Sequence, residues 1–297
     1  MEGAGIPAER VQYAPCGVEC DPVFRDRECQ EEEPFRILYC GRLEQSQKRV
    51  LDLPGILREA SQRLGPVACE LAGDGPEAEK LRQELAASVP GARIAFPGSR
   101  VPAAMASVYQ RADVLLVTSS WETGPLVVWE AMAAGLPVVS SRYLGSGLEG
   151  ALEDGVNCLL FDVGDVRGAA NALVRLATEP GLADRLRTAA HALVVARYSR
   201  AASVSMWDRA LRQALVFPAL PVPPAPSVPR AAGRLDRWLG LSWAESVRTV
   251  FRLRRQHRDP GGEWPHAHSR CTPDPMAEFF KIAEGRDRPV SGHSSKD

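Results

Sequence analysis

The sequence predicts an α/β fold in which helices cover both faces of a parallel β-sheet. Apolar runs of strand length alternate with segments of helical pattern along residues 35–217. Strands that are apolar throughout their length are typical of parallel sheets, because helices bury both of their faces. Glycine follows several of the runs, as at Gly41, Gly73 and Gly98, and glycine permits the tight turns that lead from a strand into a helix.

The alternation assigns a range to each element. The predicted strands are 35–41, 67–73, 92–96, 112–120, 136–141 and 157–161. The predicted helices are 50–64, 76–88, 102–111, 126–134, 166–178, 181–196 and 200–216. In open sheets of this kind the ligand cleft lies at the carboxyl ends of the strands. We therefore expect a cleft built by the turns 41–49, 73–76, 97–101, 119–125 and 141–148.

Composition and charge argue against several classes of protein. The formal net charge is −1, which gives no electrostatic footprint for nucleic acid. No apolar run reaches the ~18 residues that a membrane-spanning helix needs, and the amino terminus has no signal-peptide pattern. Among the seven cysteines, Cys40 and Cys158 stand in apolar runs, which favours reduced, buried thiols in the cytoplasm. Cys16 and Cys20 have the spacing of half a zinc site, but no second close pair follows.

The chain is expected to divide into five segments. Residues 1–34 precede the predicted sheet domain at 35–217. Six prolines in residues 218–229 predict a stiff, extended linker. Eight arginines and regularly spaced apolar residues in 230–258 predict a basic amphipathic helix, which either packs on another domain or lies peripherally on an anionic membrane surface. Residues 259–297 are polar and are predicted to be disordered.

Two glutamates occur in the stretch WETGPLVVWEAMAAGLPVVSS, residues 121–141. Glu130 is the only charged residue between Pro125 and Val139. Because an ionised carboxylate is costly to bury alone, Glu130 is either solvated at a cleft or paired with an arginine. At a cleft it would accept hydrogen bonds from a pair of sugar hydroxyls. Glu122 precedes the predicted helix, where an acidic residue also complements the helix dipole.

The helix between these glutamates has recognisable start and stop signals. We expect it to begin near Pro125, because proline suits the first helical position. Thr123 or Gly124 would cap its start, and Gly135 would end it. Unpaired N–H groups at such a helix start favour an anion beside them.

Two cations follow the first predicted strand. Arg42 comes directly after it, and Lys48 precedes the next helix. A planar guanidinium and an ammonium at the carboxyl end of a central strand suit a diphosphate. Either cation alone also fits a solvated basic turn, so the prediction of a site depends on several features sharing one edge of the sheet.

These residues resemble the donor-binding half of the retaining, nucleotide-sugar-dependent glycosyltransferases of the GT-B fold (group 1, family 4). The family pattern places seven residues between two glutamates and continues with Ala-Met-Ala-x-Gly-x-Pro-Val-Val. Here Glu122 is followed by TGPLVVW, and Glu130 begins EAMAAGLPVV. The Gly-Arg pair and lysine within 41–48 and the Gly-Asp-Gly-Pro turn at 73–76 match two further motifs. Residues 9–24 resemble the family's interdomain connector.

The resemblance implies roles for individual residues. Glu130 would bind the ribose hydroxyls of the nucleotide, and Arg42 and Lys48 would bind the diphosphate. Glu122 would face the transferred sugar, and together with the two cations it is a catalytic candidate. The further substrate-binding positions implied are Gly73, Gly98, Ser99, Arg100, Thr123, Gly124, Pro125 and Leu126.

The implied reaction transfers a sugar from a nucleoside diphosphate to an acceptor with retention of configuration. The cations and the helix start would stabilise the leaving diphosphate, so no metal or other cofactor is expected. Pro125 differs from the glycine that is usual in the family, and it removes one N–H from this helix start.

The resemblance covers only the family's second Rossmann-like domain. Catalysis is therefore expected to need an N-terminal domain or partner chain of roughly 150–200 residues, the size of one domain. Two other interpretations stay open. One is a non-catalytic nucleotide-sugar-binding module or subunit of a split glycosyltransferase, and the other is a sugar-nucleotide 2-epimerase. The pattern indicates neither the base, nor the sugar, nor the acceptor.

Overall fold

The computed structural model describes residues 10–20 and 34–218, together with Trp243 and Val247. Six parallel strands form one sheet in the order β3-β2-β1-β4-β5-β6. The strands are β1 (Phe35–Cys40), β2 (Val67–Ala72), β3 (Arg93–Ala95), β4 (Val114–Val117), β5 (Val138–Ser141) and β6 (Leu159–Phe161). The chain builds outward on one side of β1 and then returns to its other side with β4. The carboxyl end of β1 is therefore a topological switch point, where open α/β sheets bind ligands.

Helices lie between and after these strands. They are α1 (Leu53–Leu64), α2 (Ala78–Ser88), α3 (Pro102–Arg111), α4 (Leu126–Ala133), α5 (Val166–Thr178), α6 (Leu182–Leu193) and α7 (Arg200–Val216). Short 3-10 turns occupy Val50–Asp52 and Leu148–Gly150, and a π-helical turn occupies Val194–Tyr198. The predicted order of strands and helices is confirmed, and most predicted ends agree within two residues.

Strand β4 shows why the strands are apolar throughout. Val114 and Leu116 pack in the core beneath α1, α2 and α5. Leu115 and Val117 pack in the opposite core, beneath α3 and α4. Successive side chains of a strand point to opposite faces, so a sheet covered on both sides needs an apolar residue at every position. All four side chains are buried.

The predicted strand 112–120 extends too far at its end. β4 ends at Val117, because the next residues bond to the turn that follows β1. Thr118 Oγ1 donates to the carbonyl of Lys48 at 2.6 Å, and the N–H of Ser120 donates to the carbonyl of Gln47 at 2.7 Å. These bonds replace a sheet ladder with a link between two loops at the carboxyl edge.

Residues 10–20 lie against the end of the domain. The N–H of Val18 donates to the carbonyl of Tyr198 at 2.8 Å, and the carbonyl of Val18 accepts from the N–H of Arg200 at 2.8 Å. A Cβ on Gly17 would lie 2.6 Å from Cβ of Ser203. Only glycine allows this approach of the segment to the start of α7.

Three predictions fall largely beyond the described residues. The linker 218–229 after Pro218, the basic segment 230–258 apart from Trp243 and Val247, and the tail 259–297 lie outside them. Within the described part of the chain, no helix combines the length and the apolar character that crossing a membrane requires.

Candidate functional site

A cavity of about 370 Å³ lies at the carboxyl edge of the sheet. It is bordered by the turns after β1, β2 and β3, and by one side each of α3 and α4. The lining residues are Cys40, Gly41, Arg42, Ala72, Gly73, Asp74, Ser99, Arg100, Met105, Val127 and Glu130. The expected cleft is thus present at three of the predicted turns, and it brings together Arg42, Gly73, Ser99, Arg100 and Glu130.

The carboxylate of Glu130 borders this cavity from α4, one helical turn after Val127. Its Oε2 accepts a hydrogen bond of 2.7 Å from the hydroxyl of Tyr109. Within residues 10–20 and 34–218 no cation pairs with Glu130, and no group donates to its Oε1. The arginine pairing considered from the sequence is therefore not found among these residues, and Oε1 is available to a ligand.

Tyr109 reaches Glu130 from α3. Its side chain is 3% exposed and packs in the core beneath α3 and α4. Burial, and then the neighbouring Cys40 and Glu130, raise the pKa of the Tyr109 hydroxyl far above its ordinary value. Burial, and then the charge of Glu130, also raise the pKa of the Cys40 thiol to about 11. Both groups are neutral at physiological pH, so Tyr109 keeps the proton that it donates.

Lys48 and Glu122 form an ion pair next to the cavity. Nζ of Lys48 lies 2.7 Å from Oε1 of Glu122, and the side chains are 17% and 9% exposed. The hydroxyl of Ser119 donates to the same carboxylate oxygen. Lys48 is close to the cavity wall, because its Cε lies 3.8 Å from the position of a Cβ on Gly41. The two predicted site residues therefore contact each other.

A buried carboxylate shapes the turn that presents Lys48. Glu44 is 4% exposed, and its oxygens accept from the N–H groups of Ser46 at 2.9 Å, Gln47 at 2.8 Å and Lys48 at 3.1 Å. Bonds from backbone N–H groups satisfy a carboxylate without a cation. The acidic residue in this turn is thus structural, and it holds the backbone of Lys48 in place.

The turn after β1 is tied to the turn after β4. Besides the bonds of Thr118 and Ser120, Nε2 of Gln47 donates to the carbonyl of Trp121 at 3.1 Å. The hydroxyl of Ser141 donates to the carbonyl of Ser119 at 2.6 Å. Since the turns after β1 and β4 and the end of β5 hold one another, the position of Lys48 relative to Glu122 is set by several bonds.

The glycines of the turn after β2 meet the backbone of the turn after β1. A Cβ on Gly73 would lie 1.8 Å from the carbonyl oxygen of Gly41. A Cβ on Gly75 would lie 2.3 Å from the carbonyl oxygen of Leu43. The sequence analysis explained glycine here by the tight turn that leads from a strand into a helix. The structure adds a second reason, which is that two protein loops touch each other.

Helix α4 begins where it was predicted to begin, but its cap differs from the prediction. Pro125 is the N-cap residue rather than the first helical residue, and α4 begins at Leu126 with no side-chain cap. Capping by Thr123 or Gly124 is therefore wrong. The N–H of Leu126 instead bonds to the carbonyl of Gly124 at 2.8 Å, and Thr123 and Gly124 are exposed. Gly135 follows the helix with a φ of 71° as expected.

The remaining predicted site residues do not line the cavity. Gly98, Thr123, Gly124, Pro125 and Leu126 are not among its lining residues. Sequence reasoning missed Tyr109, Ser119 and Asp74 as site residues. Tyr109 stands within a helical pattern that indicates core, and only its position across from Glu130 distinguishes it.

Comparison with known sequences identifies relatives of this domain. Residues 34–179 match the family described as Glycosyl transferases group 1. The lipopolysaccharide core biosynthesis glycosyltransferase LpsE of Rhizobium meliloti is 34% identical over 148 residues, which are 49% of this chain and 42% of that protein. The chain spans less than half the length of the curated relatives it matches.

Solved structures share the fold. The lipopolysaccharide outer core galactosyltransferase WaaB in its apo form has a TM-score of 0.58 at 22% identity, covering 72% of this chain and 58% of that chain. HepE of Anabaena, solved in complex with UDP and glucose, has a TM-score of 0.52 at 21% identity, covering 62% of this chain and 49% of that chain. Residues 34–179 therefore form a domain of the glycosyl transferases group 1 family, with the Rossmann-like fold of the C-terminal domain of GT-B glycosyltransferases.

Proposed function

We propose that this domain binds a nucleoside diphosphate sugar and serves in transfer of the sugar to an acceptor with retention of configuration. The observation that carries the proposal is the Glu130 carboxylate at the cavity. It has a neutral hydrogen-bond partner, no cation partner in the described parts of the chain, and one oxygen free to accept. A carboxylate accepts hydrogen bonds but cannot donate them when ionised, so it suits the hydroxyls of a ribose.

The cations support a site for the diphosphate. Arg42 and Arg100 line the same cavity as Glu130, from the turns after β1 and β3. Guanidinium groups bind phosphate oxygens with two parallel hydrogen bonds. A nucleotide with its ribose at Glu130 would direct its phosphates along the carboxyl end of β1, towards Arg42 and Lys48.

Lys48 and Glu122 are proposed to act on the reacting part of the donor. Negative charge collects on the diphosphate as the sugar leaves, and Lys48 and Arg42 would stabilise it there. Glu122 would accept hydrogen bonds from the transferred sugar. These side chains supply the positive charge that the leaving group needs, so we propose that the transfer proceeds without a metal ion.

The acceptor side of the site is proposed to come from another domain or chain. The curated relatives contain residues beyond the stretch that matches this chain. An N-terminal domain or a partner chain would provide the second wall of the cleft and bind the acceptor. The acceptor itself is a glycan, a lipid-linked sugar or a small molecule in this proposal.

A thermal-shift panel tests the proposal. The chain is heated with UDP, GDP, ADP or TDP and their common sugar conjugates, because a ligand that binds only the folded state raises the melting temperature. UDP is the first probe, since the HepE structure was solved with UDP and glucose. We expect one of the nucleotides to raise the melting temperature and Glu130→Ala to reduce the rise. Glu79→Ala, on the exposed side of α2, is the matched control. No rise with any nucleotide would contradict the proposal.

Measuring whether the donor sugar is transferred, hydrolysed or epimerised distinguishes this proposal from the alternatives. A non-catalytic module would bind the nucleotide but neither transfer nor hydrolyse the sugar, even when an acceptor-binding domain is supplied. A 2-epimerase would convert the donor with no acceptor present. Transfer that keeps the anomeric configuration, observed by NMR of the product, is the outcome we expect.

A further inference from the structure

The proposed function assigns no role to Tyr109, which donates a hydrogen bond to Glu130. This bond spans 2.7 Å between the hydroxyl of Tyr109 on α3 and Oε2 of Glu130 on α4. The two residues are 21 positions apart in the chain, and their helices lie on the same face of the sheet. Glu130 borders the cavity, whereas Tyr109 stands behind it and is not part of the cavity lining.

Tyr109 is held rigidly enough to direct another group. Its side chain is 3% exposed and lies in an apolar cluster with Met105, Val108 and Trp129. A buried aromatic ring in a packed core has few alternative rotamers. Glu130, in contrast, is partly exposed and has a flexible side chain. The bond therefore fixes the glutamate and not the tyrosine.

The bond also decides which carboxylate oxygen meets a ligand. Oε2 accepts from Tyr109, and Oε1 has no donor among the described residues. A hydroxyl that donates from behind turns the plane of the carboxylate and leaves the other oxygen towards the cavity. Because the hydroxyl is neutral, it orients the carboxylate without cancelling its charge.

We propose that Tyr109 is a positioning residue that aims Oε1 of Glu130 at the ribose hydroxyls of a bound nucleotide and so sets a preference for ribonucleotides over 2′-deoxyribonucleotides. This inference rests on the proposed function, since it assumes that Glu130 faces a ribose. It goes beyond that function by assigning the sugar preference to a residue outside the cavity wall.

The inference predicts that loss of the Tyr109 hydroxyl changes the affinity for a ribonucleotide more than the affinity for a 2′-deoxyribonucleotide. A 2′-deoxyribose lacks one of the hydroxyls that donate to Glu130, so aiming the carboxylate contributes more to ribonucleotide binding than to deoxyribonucleotide binding. Loss of the Tyr109 hydroxyl should therefore weaken binding of the ribonucleotide and change binding of the deoxyribonucleotide little. A purely structural role would weaken both to the same extent.

The test compares Tyr109→Phe with the unchanged full chain by isothermal titration calorimetry. The probes are UDP and 2′-deoxy-UDP, with the guanosine and adenosine diphosphate pairs run alongside. For the base that binds, we expect the unchanged chain to prefer the ribonucleotide by about tenfold, as for one hydrogen bond to a charged group. In Tyr109→Phe this preference should fall to about threefold or less. Tyr198→Phe is the matched control, because it also removes a buried tyrosine hydroxyl, which faces Tyr13. This variant should keep the preference for the ribonucleotide.

A double-mutant cycle separates failure of the inference from failure of the function. Glu130→Ala should abolish the preference, and Tyr109→Phe should then have no further effect on it. Binding of no nucleotide by the unchanged chain would overturn the proposed function and the inference with it. A preference lost in Glu130→Ala but kept in Tyr109→Phe would overturn the inference alone. Failure of Tyr109→Phe to unfold cooperatively would also overturn it, because the hydroxyl would then belong to the fold.

Discussion

Lys48 and Glu122 are bonded to each other at 2.7 Å across the turns after β1 and β4. The sequence predicted that Lys48 binds a diphosphate and that Glu122 faces a sugar. The structure shows that, without a ligand, each neutralises the other. A nucleotide-sugar that binds Lys48 must therefore replace the ion pair with Glu122. Its binding free energy is reduced by the free energy of the ion pair that it breaks.

The ion pair should contribute measurably to stability. The pair is mostly shielded from water, and its residues are held by Ser119 and Glu44. We expect a coupling energy of about 1–2 kcal/mol between Lys48→Met and Glu122→Gln, measured by urea denaturation of the two single variants and the double variant. A coupling near zero would show that the pair is not formed in solution.

An exposed pair provides the control for that cycle. Lys80 and Glu84 lie 3.8 Å apart on α2 with side chains 57% and 40% exposed. Water screens such pairs, so their coupling energy should stay below about 0.5 kcal/mol. Added salt should weaken this pair more than the shielded one.

Glu122→Ala should affect the sugar part of the donor more than the nucleotide. If UDP is the nucleotide that binds, we expect the affinity for a UDP-sugar to fall by about tenfold, which is typical for loss of a hydrogen bond to a charged group. Affinity for bare UDP should change less, since Lys48 is released from its partner. Competitive binding of the two ligands measures the ratio, and an unchanged ratio would contradict the role of Glu122.

Gly73→Ala should destabilise the domain strongly. The added Cβ would lie 1.8 Å from the carbonyl oxygen of Gly41, so the turns after β1 and β2 must separate. We expect a loss of about 3 kcal/mol in the free energy of unfolding. Gly91→Ala is the control, because a Cβ there meets nothing within 4 Å. Equal stability of the two variants would mean that the two turns do not touch.

Cys40 should react slowly with alkylating reagents despite lining the cavity. Its thiol pKa is raised from 9.0 to about 11, which lowers the reactive thiolate fraction at pH 8 by about a hundredfold. Below the pKa the thiolate fraction grows tenfold per pH unit, so labelling should accelerate from pH 8 to pH 10. Peptide mass spectrometry compares Cys40 with the exposed Cys16, and equal rates at pH 8 would contradict the raised pKa.

The arrangement of strands and helices was predictable from the sequence because it depends on local patterns. The run at β4 is apolar at every position, and the helix at Pro102–Arg111 begins with proline. Periodicity, glycine and proline act over a few residues, so they indicate elements without knowledge of their neighbours. The cap of α4 was predicted wrongly, because Pro125 takes the N-cap position where the local rule expects Thr123 or Gly124.

The sequence by itself also determined which edge of the sheet carries the candidate site, since parallel strands place their following turns together. Only the tertiary structure decided the partners within it. Residues 48 and 122 are 74 positions apart, and Tyr109 is 21 positions from Glu130. Whether such groups pair with each other or with a ligand depends on distances of a few ångströms between loops. Those distances are set by how the turns and helices pack, which no local pattern in the chain specifies.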